Sequence, residues 1–185
     1  MTLEEACAAA FAALARGVTD RRHPFHTPTL ATIGPDGGPR ARTLVLRAFD
    51  AERRTLRLHA DARSGKVAEL LAEPRCALHG YDPTAGTQLR LEGRATVHGE
   101  DEVSAAAWAG SREMSRMCYA VQPGPGTPVE APPAAPRDAA AGEENFRAIL
   151  LRFEVLEWLD LDAKGHRRAR FDWHGGDMDA TWLVP

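Results

Sequence analysis

Three stretches carry side chains suited to holding an anion. The first is residues 41–49 (ARTLVLRAF), a β-rich run with arginines at 42 and 47. Alternation along a strand puts Arg42 and Leu44 on one face, and Thr43 and Val45 on the other. Arg42 thus shares a face with core-type residues, where a guanidinium is costly unless an anion meets it. The second is DARSGK (61–66), which sets Arg63, Ser64 and Lys66 at a helix start. Backbone N–H groups, a hydroxyl and two cations there make a phosphate cradle. The plainer alternative is a Ser-initiated helix with solvated basic side chains. The third is Gln88, opening the alternating run QLRLEGRATVH (88–98). Its amide could hydrogen-bond the edge of a heterocycle; a solvent-facing strand end is the plainer reading.

Other chemistries lack a signature. His23 and His26 flank Pro24, and His59 stands two residues before Asp61, but no third ligand follows at a recognised spacing. Ser64 and Cys118 are not set in a G-x-S-x-G elbow. GPDGG (34–38) does not match the dinucleotide fingerprint. Cys7, Cys76 and Cys118 are odd in number with no C-x-x-C, which speaks against disulfides and zinc and for a reducing cytoplasm. Trp108, Trp158, Trp173 and Trp182 read as core or interface aromatics. No residue is assigned as catalytic.

Composition narrows the partners. Lys and Arg total 23 against 26 Asp and Glu, a net charge of −3 over 185 residues. That excludes a generic polyanion binder, so no nucleic acid is expected. No apolar run is long enough to span a membrane. The start MTLEEACAAAF is acidic and does not read as a secretory signal.

The elements that must position these residues follow from periodicity. Residues 2–16 form an amphipathic helix with Thr2 and Glu5 as a capping box and Gly17 as its stop. Strands are predicted at 27–33, 41–49, 55–60, 76–81, 88–98, 145–160 and 167–173. A short helix covers 64–72, and 100–121 reads as helical. Residues 122–142 are a Pro/Gly/Ala-rich internal loop within one domain, 1–185. Six or seven hairpin-linked antiparallel strands suggest a mainly β, α+β chain, a small barrel with peripheral helices.

Taken in order, RTLVLRAFD (42–50), LHADARSGKVAELLAEPRCAL (58–78), TQLRLEGRA (87–95) and FEVLEWL, RARF and WLVP towards the end resemble the pyridoxamine 5'-phosphate oxidase-like flavoproteins. The resemblance covers nearly the whole chain. It implies an antiparallel Greek-key split β-barrel and a homodimer with FMN at the subunit interface. By position, Arg42 matches a strand arginine that contacts the FMN phosphate, and Thr43, Leu44 and Val45 follow along the flavin. His59 and Ala60 match a strand-end pair beside the cofactor. Ser64 and Lys66 match the phosphate-loop pair, and Gln88, Gln122 and Arg170 match later FMN contacts. Arg47 stands where the family has a substrate-phosphate lysine; Trp108, Arg112 and Ser115 stand near its Tyr, Arg and Ser. Arg47 and Arg112 are therefore candidate substrate-anion clamps.

The chain also departs from the family. Gly65 replaces a loop arginine, for which Arg63 could substitute. The late tryptophan aligns with Leu159 or Trp158. The Arg-x-His substrate pair is not cleanly present in residues 166–170 (HRRAR). The implied function is an FMN-dependent oxidoreductase passing a hydride between flavin and a small molecule. The alternatives are a non-catalytic FMN- or haem-binding module and a flavin- or deazaflavin-using reductase of the same fold.

Overall fold

The computed structural model describes residues 1–185. Helix α1 (Leu3–Thr19) opens the chain. The Thr2 hydroxyl accepts from the Glu5 N–H at 3.2 Å, and the Thr2 N–H donates to the Glu5 carboxylate at 2.7 Å. The predicted capping box is therefore formed. Gly17 does not stop the helix, which continues to Thr19. Gly17 serves packing instead: a Cβ there would lie 2.7 Å from the Phe25 carbonyl oxygen.

Strands β1 (Thr29–Ile33), β2 (Pro39–Thr43), β3 (Leu46–Asp50) and β4 (Thr55–Asp61) follow, then helix α2 (Gly65–Ala72). Strands β5 (Arg75–Asp82) and β6 (Thr87–His98) lead to helices α3 (Glu102–Ala109) and α4 (Glu113–Arg116). Strands β7 (Phe146–Asp160), β8 (Arg167–Asp172) and β9 (Asp179–Leu183) close the chain. The strand number thus exceeds the expected six or seven: residues 41–49 make two strands, and the carboxy-terminal run makes β9. The helical stretch 100–121 is likewise broken at residues 110–112. No helix is long and apolar enough to cross a membrane.

All strand pairings are antiparallel, in the order β2-β1-β5-β6-β7-β4-β3, with β8 added between β7 and β9. Strands β2 and β3 lie at opposite ends of this order, yet only Leu44 and Val45 separate them. Two intervening residues span about 11 Å at most. The sheet must therefore curl until its edges nearly meet, without pairing: a split barrel. Its interior holds Leu30, Leu46, Leu56, Leu58, Leu78, Leu89 and Leu91, all essentially buried. Ala6, Ala10 and Leu14 seal α1 onto that core. At Gly93 the β6–β7 register shifts, and a Cβ would lie 2.1 Å from the Arg152 carbonyl oxygen, so the close strand approach needs glycine. A second apolar cluster joins Trp108 and Tyr119 to Phe146.

Candidate functional site

Arg42 lies opposite Leu30 in the β1–β2 ladder, on the core face at the barrel's edge, as its alternation predicts. Its charge is already met within the chain. Its guanidinium donates to Glu69 Oε2 on α2 at 2.6 Å and to the Thr32 hydroxyl, which in turn donates to the same carboxylate at 2.5 Å. Burial opposes the charge on Glu69, yet the Thr32 and Arg42 contacts outweigh it and hold the carboxyl below its ordinary range. An arginine carries five N–H donors, so donors remain for a further ligand.

Lys66 stands one turn before Glu69 on α2, half-buried. It forms no ion pair. Burial, and after it the neighbouring Arg42 charge, push its ammonium below the usual lysine range, against the smaller opposing pull of Asp61 and Glu69. The amino end of α2 contributes backbone N–H groups without helical partners. Gly65 there is exposed, and a Cβ would meet only Glu69 Oε1 at 3.5 Å. This donor set suits a phosphate monoester: one cation in no direct ion pair, a second with donors to spare, and a helix amino terminus.

Two members of the predicted cradle are otherwise engaged. Ser64 is buried, and its hydroxyl donates to the Asp61 carbonyl at 2.6 Å. Arg63 cannot replace the loop arginine. It grips the Asp61 carboxylate at 2.9 and 2.7 Å and donates to the carbonyls of Tyr119 and Val121, each at 3.1 Å. It also donates to Gln122 Oε1 at 3.0 Å. Arg63 is a clasp between the start of α2 and the segment that leads into residues 122–142.

The link after Arg42 runs past the barrel's opening. Thr43 is exposed, the Leu44 N–H donates to the Pro28 carbonyl at 3.0 Å, and Val45 is half-buried. Pairing of β3 with β4 ends at Leu46–Leu58, so His59, Ala60 and Asp61 have no strand partner on that side. Ala60 points its methyl into the core, leaving only its backbone for a ligand. His59 points outward and packs edge-on against Phe146 at 4.8 Å. Burial, then Arg47 and Arg57, push its imidazole down to about 3, so the ring is neutral. Beside it, Arg47 and Arg112 line one cavity of about 230 Å³. The two predicted clamps are therefore brought together, at the far end of the Leu44–Val45 link from Arg42. Ser115 and Trp108 do not line that cavity; Trp108 is buried in the second apolar cluster.

Gln88 and Arg170 form a separate group. Gln88 stands across from Leu159, and Arg90 from Glu157, which faces Arg170. All lie on the outer face, opposite Leu89 and Leu91. Gln88 Oε1 sits 3.2 Å from His79 Nε2. The buried Glu157 carboxylate meets Arg168 at 2.7 Å and Arg170 at 3.2 Å. Strand β6 lies three strand spacings from β2, about 14 Å, so one chain does not bring Gln88 or Arg170 to the Arg42–Lys66 pair. The structure also separates the two tryptophan registers: Trp158 is buried in the core, and Leu159 faces outward.

Sequence reasoning missed Glu69, Thr32, Asp61 and Arg57. The alternation in TLRLHA could have flagged Arg57, since it shares the outward face with His59. Glu69 had no such signal, because its partner is 27 residues away and only the tertiary fold joins them.

The family model described as pyridoxamine 5'-phosphate oxidase, FMN-binding domain, matches residues 8–99. That stretch includes Arg42, His59, Lys66 and Gln88. Pyridoxine/pyridoxamine 5'-phosphate oxidase 2 of Arabidopsis thaliana is 30% identical over 143 residues, covering 71% of this chain and 72% of that protein. Pyridoxine/pyridoxamine 5'-phosphate oxidase of Microcystis aeruginosa is 38% identical over 89 residues, covering 48% of this chain and 41% of that one. The match thus spans less than half of that second relative. Among solved structures, a pyridoxamine 5'-phosphate oxidase-related, FMN binding protein from Nostoc punctiforme superposes with a TM-score of 0.82, at 25% identity, over 96% of each chain. PhzG from Burkholderia lata shares the fold with a TM-score of 0.71 at 22% identity, over 99% of this chain and 90% of that one. By sequence match and by architecture, the chain belongs to the pyridoxamine 5'-phosphate oxidase-like family of FMN-binding split-barrel proteins.

Proposed function

We propose that this chain is an FMN-dependent oxidoreductase acting on a small anionic molecule, and that it works as a cytoplasmic homodimer with FMN at the subunit interface. The observation that carries the reading is Lys66: a half-buried ammonium in no direct ion pair, set beside Arg42 at the amino end of α2, whose charge the nearby Asp61 and Glu69 only partly offset. A phosphate dianion there offsets both the cost of burying the charge and the repulsion from Arg42. Bound FMN supplies the hydride chemistry, and the protein supplies position, charge and a dry pocket.

The chain's own residues then divide the work. Arg42, Lys66 and the α2 backbone hold the phosphate. The link Thr43, Leu44 and Val45 and the open edge of β4 at His59 and Ala60 offer backbone along the ring. Arg47 and Arg112 orient an acidic group of the substrate at the cavity beyond that link. Gln88 and Arg170, on the outer face, serve the flavin held by the second copy; that division of the site is what supports the dimer. The three free cysteines agree with a reducing compartment.

A second reading, a non-catalytic FMN-binding module, draws on Arg167, Arg168 and Arg170. All three are held by Asp160 or Glu157 and are not free for a substrate. The test has two stages. Protein purified without added flavin is examined for a flavin spectrum, and released cofactor is identified by mass. Turnover with pyridoxamine 5'-phosphate and oxygen, followed as peroxide, then separates enzyme from module. Failure to bind FMN at micromolar concentration overturns both readings.

A further inference from the structure

Two imidazoles, His26 and His59, line the cavity beside the Leu44–Val45 link, and they differ in how they are held. His26 Nδ1 lies 2.7 Å from the Gly17 carbonyl oxygen, so its ring is tied to the last turns of α1. His59 makes no hydrogen bond, and its Nε2 is shielded from solvent without a partner. Edge-on packing against Phe146 at 4.8 Å leaves the ring little freedom to seek one. Strand geometry sets what surrounds it. Arg57 stands two residues before His59 on β4, so both side chains leave the same face about 7 Å apart. Arg47 is the extra residue where the β3–β4 register shifts between Leu46 and Ala48, and this bulge aims it at the same cavity. The Nε–H groups of both arginines are likewise shielded and unpartnered. Both guanidinium charges act on the His59 ring. They favour the tautomer with its proton on Nδ1 and a lone pair on Nε2. Two N–H donors and one acceptor are thus left unmet beside one another, where buried polar groups are ordinarily paired.

An ionised acid group answers only the donors, because it has no proton to give Nε2. An ammonium would donate, but it would stand against the charges of Arg47 and Arg57. A hydroxyl does both: it accepts from a guanidinium and donates to the imidazole. We propose that His59 determines specificity: its Nε2 accepts a hydrogen bond from an uncharged hydroxyl on the molecule that Arg47 and Arg112 hold, so that the cavity selects a small hydroxy acid over the same acid without the hydroxyl. A ligand lacking the hydroxyl leaves the buried nitrogen unpaired and is rejected for that reason. The inference rests on the reading of Arg47 and Arg112 as anion clamps and adds the group that stands beside the charge.

The experiment is calorimetric titration of the flavin-loaded protein at about pH 7.5, where the His59 ring is neutral, with glycolate, methoxyacetate and acetate. Each probe carries a single carboxylate. Glycolate adds a hydroxyl, and methoxyacetate keeps that oxygen as an acceptor without its proton. Glycolate should bind about fivefold or more tightly than either of the others. His59→Phe keeps a ring against Phe146, removes the acceptor and leaves the charge of the cavity unchanged. It should erase the glycolate gain and keep acetate affinity within about twofold of wild type. His59→Gln, whose amide oxygen can take the place of Nε2, should restore most of the gain. Glycolate binding no better than acetate, or no better than methoxyacetate, overturns the proposal and leaves the anion clamps standing. A His59→Phe protein that keeps the gain overturns it too, as does loss of acetate binding in both variants, which marks the ring as structural. Arg47→Met should weaken all three probes alike. Probes that do not bind, or that bind regardless of Arg47, refute the clamp reading, and the proposal falls with it. Flavin loading is read separately from visible absorbance. A colourless protein counts against the flavin reading alone, and the titration is then run on the Lys66→Met chain, which excludes binding at the Arg42–Lys66 pair.

Discussion

Replacing Lys66 by methionine should separate folding from cofactor binding. Lys66 forms no direct ion pair, and burial and Arg42 disfavour its charge by more than the nearby Asp61 and Glu69 favour it. A cation whose titration is depressed in the folded state leaves the unfolded chain binding more protons between the two pKa values. The charge is thus a handicap to the flavin-free fold. Methionine keeps much of the aliphatic stem and removes that handicap. Stability of the flavin-free chain should stay within about 0.5 kcal/mol of wild type or rise above it. Binding should change in the opposite sense. A hydrogen bond to a charged group contributes about 1.5–3 kcal/mol, so the FMN Kd should rise roughly 10- to 100-fold. Urea unfolding reads the first quantity and quenching of flavin fluorescence the second. An unchanged Kd would refute the phosphate assignment. A stability loss above about 1 kcal/mol would show that Lys66 holds a structural role the geometry does not contain.

Further outcomes follow from the same contacts. Arg42→Ala strands the Glu69 carboxylate, whose side chain is only 10% exposed. It should cost about 3 kcal/mol of stability and about 2 kcal/mol or more of FMN affinity; Arg42→Ala/Glu69→Ala should recover much of the stability, and strictly additive losses in the double-mutant cycle would contradict the pair. Arg63→Ala unpairs the buried Asp61 and releases the Tyr119 and Val121 carbonyls. It should destabilise by about 3 kcal/mol and speed limited proteolysis within residues 122–142; unaltered cleavage there would argue against the clasp. His59, pushed to about 3 in the fold, takes up its proton earlier in the unfolded chain. Stability should therefore fall as pH drops below about 6.5, by about 1 kcal/mol between pH 6 and 5. His59→Gln should flatten that slope, and an equally steep urea-midpoint profile in the variant would count against it.

Much of this arrangement was legible locally. The capping box at Thr2 and Glu5, the inward leucines of β4 and β6, and the outward placement of Gln88 all follow from period and side-chain chemistry. The break at Leu44–Val45 did not show. Arg42, Leu44 and Leu46 keep the same alternation across it, so the pattern reads as one strand although its halves sit on opposite edges of the sheet. The partners of the charged residues were equally hidden. Arg42 looked available because Glu69 reaches it only after α2 folds over the barrel's edge, and Arg63 looked like a ligand because its carbonyl partners lie 56 and 58 residues downstream. Lys66 and the Arg47–Arg112 pair kept their predicted availability.

The most direct test is a crystal structure of the chain with FMN bound. The account predicts the flavin phosphate within hydrogen-bond distance of Lys66 Nζ and the Arg42 guanidinium, with Gln88 and Arg170 reaching the same flavin from a second copy. A phosphate bound away from Lys66, or a flavin contacted by Gln88 of the chain that also supplies Arg42, would contradict it.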